Sequence, residues 1–322
     1  MQTFSSDPFA PKRLSFLANT FFLIAIMVLY PLAGALLFYT VNGGSTAAVS
    51  LLHIDRAMLP TLRIIQAVGQ FLVLALPVIL LAAWHTGRKN PFSWESLAFL
   101  GITKSFNFGA ALLAVGGIFL LQPLLYTITA LQDLYLWPAL GDAGKEVVRQ
   151  RDMMDSFIRE LALVRSVPEF FSVAFVLAVT PAVCEELLFR GYIQQNYSKS
   201  ISSGAAVLLT GSLFAFFHMS AANLFPLALL GWYIGYISIK TGNLALPFAV
   251  HLVNNFAALL LLLFTDSGDL APRVQPYTVL GALWWWLVVA VSLFLFILVI
   301  LRFSAAFSTS SDIVVTQPAS RG

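Results

Sequence analysis

Between Phe170 and Leu262 the chain carries only five Asp, Glu, Lys or Arg residues: Glu185, Glu186, Arg190, Lys199 and Lys240. Similar apolar runs recur elsewhere, from Leu14 to Tyr39 near the start and over residues 278–301 near the end. About 20 apolar residues suffice to cross the hydrocarbon of a bilayer. No water is present there to satisfy a backbone N–H or C=O, so such segments must be helical. The 322 residues are 59% hydrophobic and 10% charged, against about 25% charged in soluble domains. This composition predicts an all-α, polytopic integral membrane protein.

About eight transmembrane helices are expected, near residues 15–40, 64–84, 107–129, 169–193, 208–224, 225–239, 244–264 and 278–301, forming one bundle. Three regions follow: an N-terminal membrane region 1–164, a core 165–265, and a last span with its tail, 266–322. The run after Lys12 and Arg13 is too long for a signal-peptide core and reads as a retained first span. Within the charged connection 130–168, Gly144 to Arg165 places Val147, Met154, Ile158 and Leu161 at helical spacing. That pattern suits an amphipathic helix on the membrane surface or a solvated connecting helix. Lys12, Arg13, Arg88, Lys89, Lys104, Lys199, Lys240 and Arg302 fall on one side of the eight-span arrangement. The positive-inside rule makes that side cytoplasmic, with both termini in it, and the plasma (inner) membrane is the expected location. Trp284, Trp285 and Trp286 read as an interfacial belt, His53 and His85 as solvated residues in connections, and the Ser/Thr-rich tail from Ser304 as disordered. The single cysteine, Cys184, allows no intrachain disulfide. No basic cluster suggests nucleic acid as a partner.

The charge inside the core region is therefore concentrated at Glu185, Glu186 and Arg190. An ionised side chain at the centre of a membrane helix costs roughly 2.5–3.5 kcal/mol on insertion scales, so three in six residues need partners and a task. Glu186 and Arg190 are i,i+4 with the acid first, the favourable order for an ion pair on one helix face. Glu185 lies about 100° around the helix and has no local cation. His218 and His251 lie in neighbouring spans, and Phe214/His218 and His251/Asn255 repeat the i,i+4 spacing. If the fourth and fifth spans form an antiparallel hairpin, the midpoint between Glu185 and His218 falls on the turn-like Ile201-Ser202-Ser203-Gly204, and the two residues are level. Glu185 is then about 12 Å below a surface near Ile193, and His251 about 10–11 Å past Leu244. Pro181 is expected to kink the helix beside the site, and Gly231 and Gly235 to permit close helix approach.

A carboxylate and an imidazole sharing one water can deprotonate it for attack on a carbonyl. A second imidazole and a carboxamide can donate to the oxyanion that forms. Glu185 with His218 suits the first role, and His251 with Asn255 the second. Glu185, His218 and His251 would also make a three-ligand zinc set with an open position, although no HExxH signature supports it. Cys184 reads as a packed thiol rather than a nucleophile.

These residues resemble the CAAX prenyl endopeptidase and bacteriocin-processing (CPBP) family of intramembrane proteases over about residues 165–265. Its Glu-Glu-x-x-x-Arg motif is matched by Glu185-Glu186-Leu187-Leu188-Phe189-Arg190, its Phe-x-x-x-His by Phe214-Ala215-Phe216-Phe217-His218, and its His-x-x-x-Asn by His251-Leu252-Val253-Asn254-Asn255. The resemblance implies an eight-helix endopeptidase with a cavity open to the cytoplasm. It implies water activation by Glu185 and His218, oxyanion binding by His251 and Asn255, and structural support from Glu186 and Arg190, while Phe214 shapes the site. Members have been called metalloproteases, yet the motifs also permit a metal-free glutamate mechanism. The reading favours the latter: no cofactor is expected, with a divalent metal such as zinc as the alternative. The expected partners are the lipid bilayer and a membrane-associated or lipidated peptide or protein substrate. Two alternatives are a proton-coupled transporter and a catalytically silent immunity or regulatory protein on the same scaffold.

Overall fold

The computed structural model describes residues 9, 12–41, 56–103, 106–266 and 276–312. Among these there are helices and turns and no strand. Seven helices are long and apolar enough to cross a membrane, and an eighth apolar helix is shorter. The all-α membrane architecture is thus as expected, and the chain is an integral membrane protein. In order, the main elements are α1 (Phe16–Val41), α2 (Arg56–Thr86), α3 (Phe108–Ala139), α4 (Asp142–Leu161), α5 (Val167–Ser200), α6 (Ser203–Phe217), α7 (Leu224–Thr241), α8 (Ala245–Asp266) and α9 (Leu283–Asp312).

Their ends follow local chemistry. Asn107, Ser166 and Ser202 each accept a hydrogen bond from the backbone N–H three residues on, capping α3, α5 and α6. Gly87 and Gly242 adopt left-handed backbone (φ 71° and 58°) just past α2 and α7, a conformation that a side chain would disfavour. α6 stops differently. His218 is its C-cap, and Met219 takes a left-handed φ of 48° immediately after. The expected fifth span, 208–224, is corrected accordingly: the helix begins at Ser203, ends at Phe217, and leaves a turn before α7. The hairpin tip, with His218 at its start, thus lies short of a full crossing, since 15 residues rise only about 22 Å.

Two ends of the bundle can be told apart by their contacts. At one, Lys199 Nζ donates to Arg13 O, Asn19 donates to Ile193 O, and Leu244 N donates to Gly101 O. At the other, buried Arg63 at the start of α2 donates to Leu161 O and Leu163 O and pairs with Glu169 at 2.8 Å. This single guanidinium ties the end of α4 and the start of α5 to α2.

Other expectations are corrected here. α5 runs on to Ser200 through the polar residues 194–200, so the helix outlasts the apolar run. His85 is not in a solvated connection. It sits half-buried in the last turn of α2, stacked on Phe99 (5.3 Å, 11°), with its Nε2 3.0 Å from the Tyr192 hydroxyl. Helix α9 continues to Asp312, so residues 304–312 are helical rather than disordered. His53, Lys104 and residues 313–322 lie outside the described residues. The amphipathic segment is a helix, ending at Leu161. Of its expected apolar stripe, Leu161 is buried whereas Met154 and Ile158 are exposed. Trp285 ties α9 to α3 through Thr127 Oγ1 and an edge contact with Tyr126.

Replacing Arg63 with Met should leave two carbonyls and Glu169 Oε1 without their donor. The expected cost is about 2–3 kcal/mol, read as a lower thermal unfolding midpoint in detergent. An unchanged midpoint would show that the α4–α5 connection is held by other contacts.

Candidate active site

Helix α5 carries the acidic pair in an unusual stretch of backbone. It widens into π-helical turns at Phe175–Val179 and at Leu187–Ile193, on either side of Thr180–Glu186. π-turns inside α-helices occur frequently at functional sites. The first is continuous with the effect of Pro181, which removes a backbone donor, and Thr180 Oγ1 donates to Phe175 O there. Glu185 and Glu186 are both buried, and so is His251 on α8. The His218 side chain is 31% exposed against 3% for His251, so any approach to the site is from the His218 side.

The expected convergence occurs. Glu185 Oε2 lies 4.0 Å from His218 Nε2 and 4.0 Å from His251 Nε2. It is buried with no hydrogen-bond partner in the protein. Each imidazole is held from behind through Nδ1: His218 against Phe214 O at 2.8 Å, and His251 against Glu186 Oε1 at 2.7 Å. Both of those partners are acceptors, so each Nδ1 carries the proton. In the neutral rings the two Nε2 atoms are then lone pairs facing a carboxylate. Three acceptors meet with no donor among them, and a gap of 4.0 Å is wide enough for a donor to sit between.

Arg190 completes the arrangement. Its Nη1 donates to Glu186 Oε1 at 2.7 Å, and neither side chain is exposed. This is the i,i+4 pair that the helical spacing predicts. Its Nη2 donates to Gly231 O at 3.1 Å. That carbonyl is reachable because the helices approach closely: a Cβ on Gly231 would lie 2.8 Å from Gly211 O. One turn on, Gln194 repeats the contact by donating to Gly235 O at 3.0 Å. The two glycines therefore admit polar side chains to the backbone of α7 as well as allowing close packing. Phe214 occupies the middle. Its ring meets His218 at 4.6 Å and His251 at 5.9 Å edge-on, and the Arg190 guanidinium lies over it at 4.6 Å. Cys184 is buried in the apolar core.

Glu185, Glu186 and Arg190 sum to one negative charge in a buried site, and an uncompensated buried charge is costly. A carboxylate faces His251 Nδ1, whereas a neutral carbonyl faces that of His218.

Asn255 is not in hydrogen-bond contact with the other three. Its Oδ1 accepts from Asn254 Nδ2 (3.4 Å), and Asn254 Oδ1 accepts from Gln122 Nε2 (3.2 Å). This relay occupies the Asn255 oxygen and leaves its N–H2 free to donate, one turn along α8 from His251.

A zinc ion was the alternative occupant. Its ligands sit about 2.0–2.2 Å away, so two atoms 4.0 Å apart would subtend about 130–180° at the ion. A tetrahedral site needs ligand separations near 3.4 Å. The donor types suit zinc, but these separations do not, and no cluster of three His, Cys, Asp or Glu among the described residues is spaced to hold a metal. A water at about 2.8 Å from each atom is accommodated directly.

The contact that sequence reasoning missed is Glu186 to His251. Glu186 was assigned to Arg190 alone, and no short-range pattern links residues on α5 and α8. Residues 167–257 match the family model described as type II CAAX prenyl endopeptidase Rce1-like. This segment holds all seven residues singled out above, and the match supports the resemblance drawn from the three motifs. No curated protein and no solved structure matches the chain.

Replacing Arg190 with Met removes the guanidinium from the buried Glu186 and leaves that carboxylate His251 alone, and the expected loss is about 3–5 kcal/mol of stability. Glu185→Gln keeps the shape of a side chain with no partner to lose and should stay within about 1 kcal/mol of the parent. Thermal unfolding of both variants in detergent checks the contrast; equal losses would contradict the division of labour between the two glutamates.

Proposed function

We propose that this protein is an intramembrane endopeptidase that hydrolyses peptide bonds of membrane-associated or lipidated substrates by glutamate and histidine water activation. The observation that carries the reading is the partnerless Glu185 Oε2 set 4.0 Å from both imidazole Nε2 atoms. A water held there donates its two protons to Glu185 and His218, which turns an oxygen lone pair outward. As that oxygen attacks the scissile carbonyl carbon, Glu185 takes one proton. The carbonyl oxygen becomes an oxyanion, which accepts from protonated His251 Nε2 and from the Asn255 amide. Glu186 stabilises the imidazolium in the water-poor site, and Arg190 holds Glu186. Return of the proton from Glu185 to the leaving nitrogen accompanies C–N cleavage and restores the carboxylate.

The membrane setting supports a substrate class. The site lies six or seven residues along α8 from Leu244 and the bundle end bearing Arg13 and Lys199, about 10 Å deep. A peptide tethered by a lipid or an apolar segment reaches that depth with its scissile bond. The positive-inside rule supports a cytoplasmic setting for the basic end, and with it cleavage near the cytoplasmic leaflet.

Cleavage of a fluorogenic farnesylated peptide by the purified protein in proteoliposomes tests the reading. Glu185→Gln should lower kcat by at least about 10³-fold and His218→Ala by about 10²-fold or more. Asn255→Ala should cost about 10²-fold, and 1,10-phenanthroline should leave the parent rate unchanged. Parent-like activity of Glu185→Gln would overturn the proposal, and loss of parent activity in chelator that zinc restores would overturn its metal-free form.

A further inference from the structure

Between Phe108 and Tyr126, Gln122 is the only residue whose side chain carries a hydrogen-bonding group. It stands near the middle of the 32-residue helix α3 and outside the matched segment 167–257. It is exposed, and an amide at hydrocarbon depth is costly unless it is hydrogen-bonded. Its Nε2 carries two protons and meets two acceptors. One is Ile118 O at 3.3 Å, a turn back on the same helix, and the other is Asn254 Oδ1 at 3.2 Å on α8.

A carboxamide turned by half a revolution exchanges its N–H2 and its oxygen with almost no change of shape, so its partners alone set its sense. Here the sense starts from an atom that cannot be reversed. Ile118 O is a backbone carbonyl and only accepts, so the Gln122 atom beside it is nitrogen. The same nitrogen faces Asn254, so the Asn254 atom it meets is oxygen. Asn254 then presents its nitrogen to Asn255, 3.4 Å from Oδ1. With that oxygen engaged, Asn255 Nδ2 is left to donate, on the face of α8 that Asn255 shares with His251 at i,i+4 spacing.

Resting on the reading of Asn255 as an oxyanion donor, we propose that Gln122 is a positioning residue that fixes the sense of the Asn255 amide. Reversed, Asn255 would set its oxygen where the negative charge develops, and acceptor would face acceptor. It would also set its nitrogen against Asn254 Nδ2, donor against donor. The relay from Ile118 O excludes that sense. Helix α3 thereby contributes to the chemistry through a residue that need not touch the substrate.

Gln122→Leu and Asn254→Leu each cut the relay. Leucine is favourable at membrane depth, so the fold is kept. With the full-length protein in proteoliposomes and the same farnesylated peptide, each should lower kcat about fivefold, the population effect of one released hydrogen bond, while KM stays within about twofold. Each is repeated in an Asn255→Ala background, where no amide remains to be turned. There the further loss should disappear, because residues that act through one group are non-additive. A packing role predicts the same loss in both backgrounds, and that result overturns the inference. So does parent-like kcat of Gln122→Leu beside a defective Asn255→Ala. In both cases an inactive Glu185→Gln leaves the protease reading standing. Parent-like Asn255→Ala removes the oxyanion donor, and the inference with it. If Glu185→Gln cleaves like the parent, or the parent does not cleave, the protease reading fails and takes this inference with it.

Discussion

The site depends on one chain of charge buried in the bundle: Arg190 to Glu186 to His251. Glu186 Oε1 sits 2.7 Å from both the guanidinium and the imidazole. In a low-dielectric interior, an ionised carboxylate needs such partners to persist. Helix α5 supplies two members of the chain at i,i+4, and α8 supplies the third, so the network fixes the rotation of α8 about its own axis. That rotation aims His251 Nε2 at Glu185. Glu186, set behind His251, is thus the glutamate that determines where His251 Nε2 points.

Close backbone approach makes the chain affordable in space. Gly211 and Gly231 bring α6 and α7 together, and the exposed Gly231 carbonyl accepts from Arg190. Arg190 thus has an anion, a carbonyl and the Phe214 ring around it. The hairpin α6–α7 turns before it crosses the bundle, and the turn begins at His218. A histidine at a helix C-terminus in this position is anchored through Phe214 O and remains partly accessible. The result is an asymmetric pair of imidazoles, one enclosed and charge-partnered and the other open, which suits separate roles toward one water and one carbonyl.

Much of this was legible in the sequence where the relation was local or set by a hairpin. The apolar runs mark the spans, and the i,i+4 spacing marks the Glu186–Arg190 pair. The equal depth of Glu185 and His218 follows from the turn at residues 201–204. Relations that depend on how a helix is rotated in the bundle were not legible. Glu186 to His251 is one, and Arg63 to the carbonyls of Leu161 and Leu163 is another. The end of α6 was misjudged because hydropathy stays high from Phe214 through Leu224, and His218-Met219-Ser220-Ala221-Ala222-Asn223 contains no glycine or proline to mark the turn. His85 was misjudged because the apolar run fades before the helix does. Its aromatic neighbours, Phe99 and Tyr192, are distant in sequence.

The account stands on a single water held between Glu185 and the two imidazoles. An experimental density map of the purified protein, collected with and without the zinc absorption edge, tests that directly. The account predicts one water-sized peak within hydrogen-bond distance of Glu185 Oε2 and both Nε2 atoms, with no anomalous signal. An anomalous peak with all three ligands near 2.1 Å, or a Glu185 carboxylate rotated out toward the acyl chains, would contradict it.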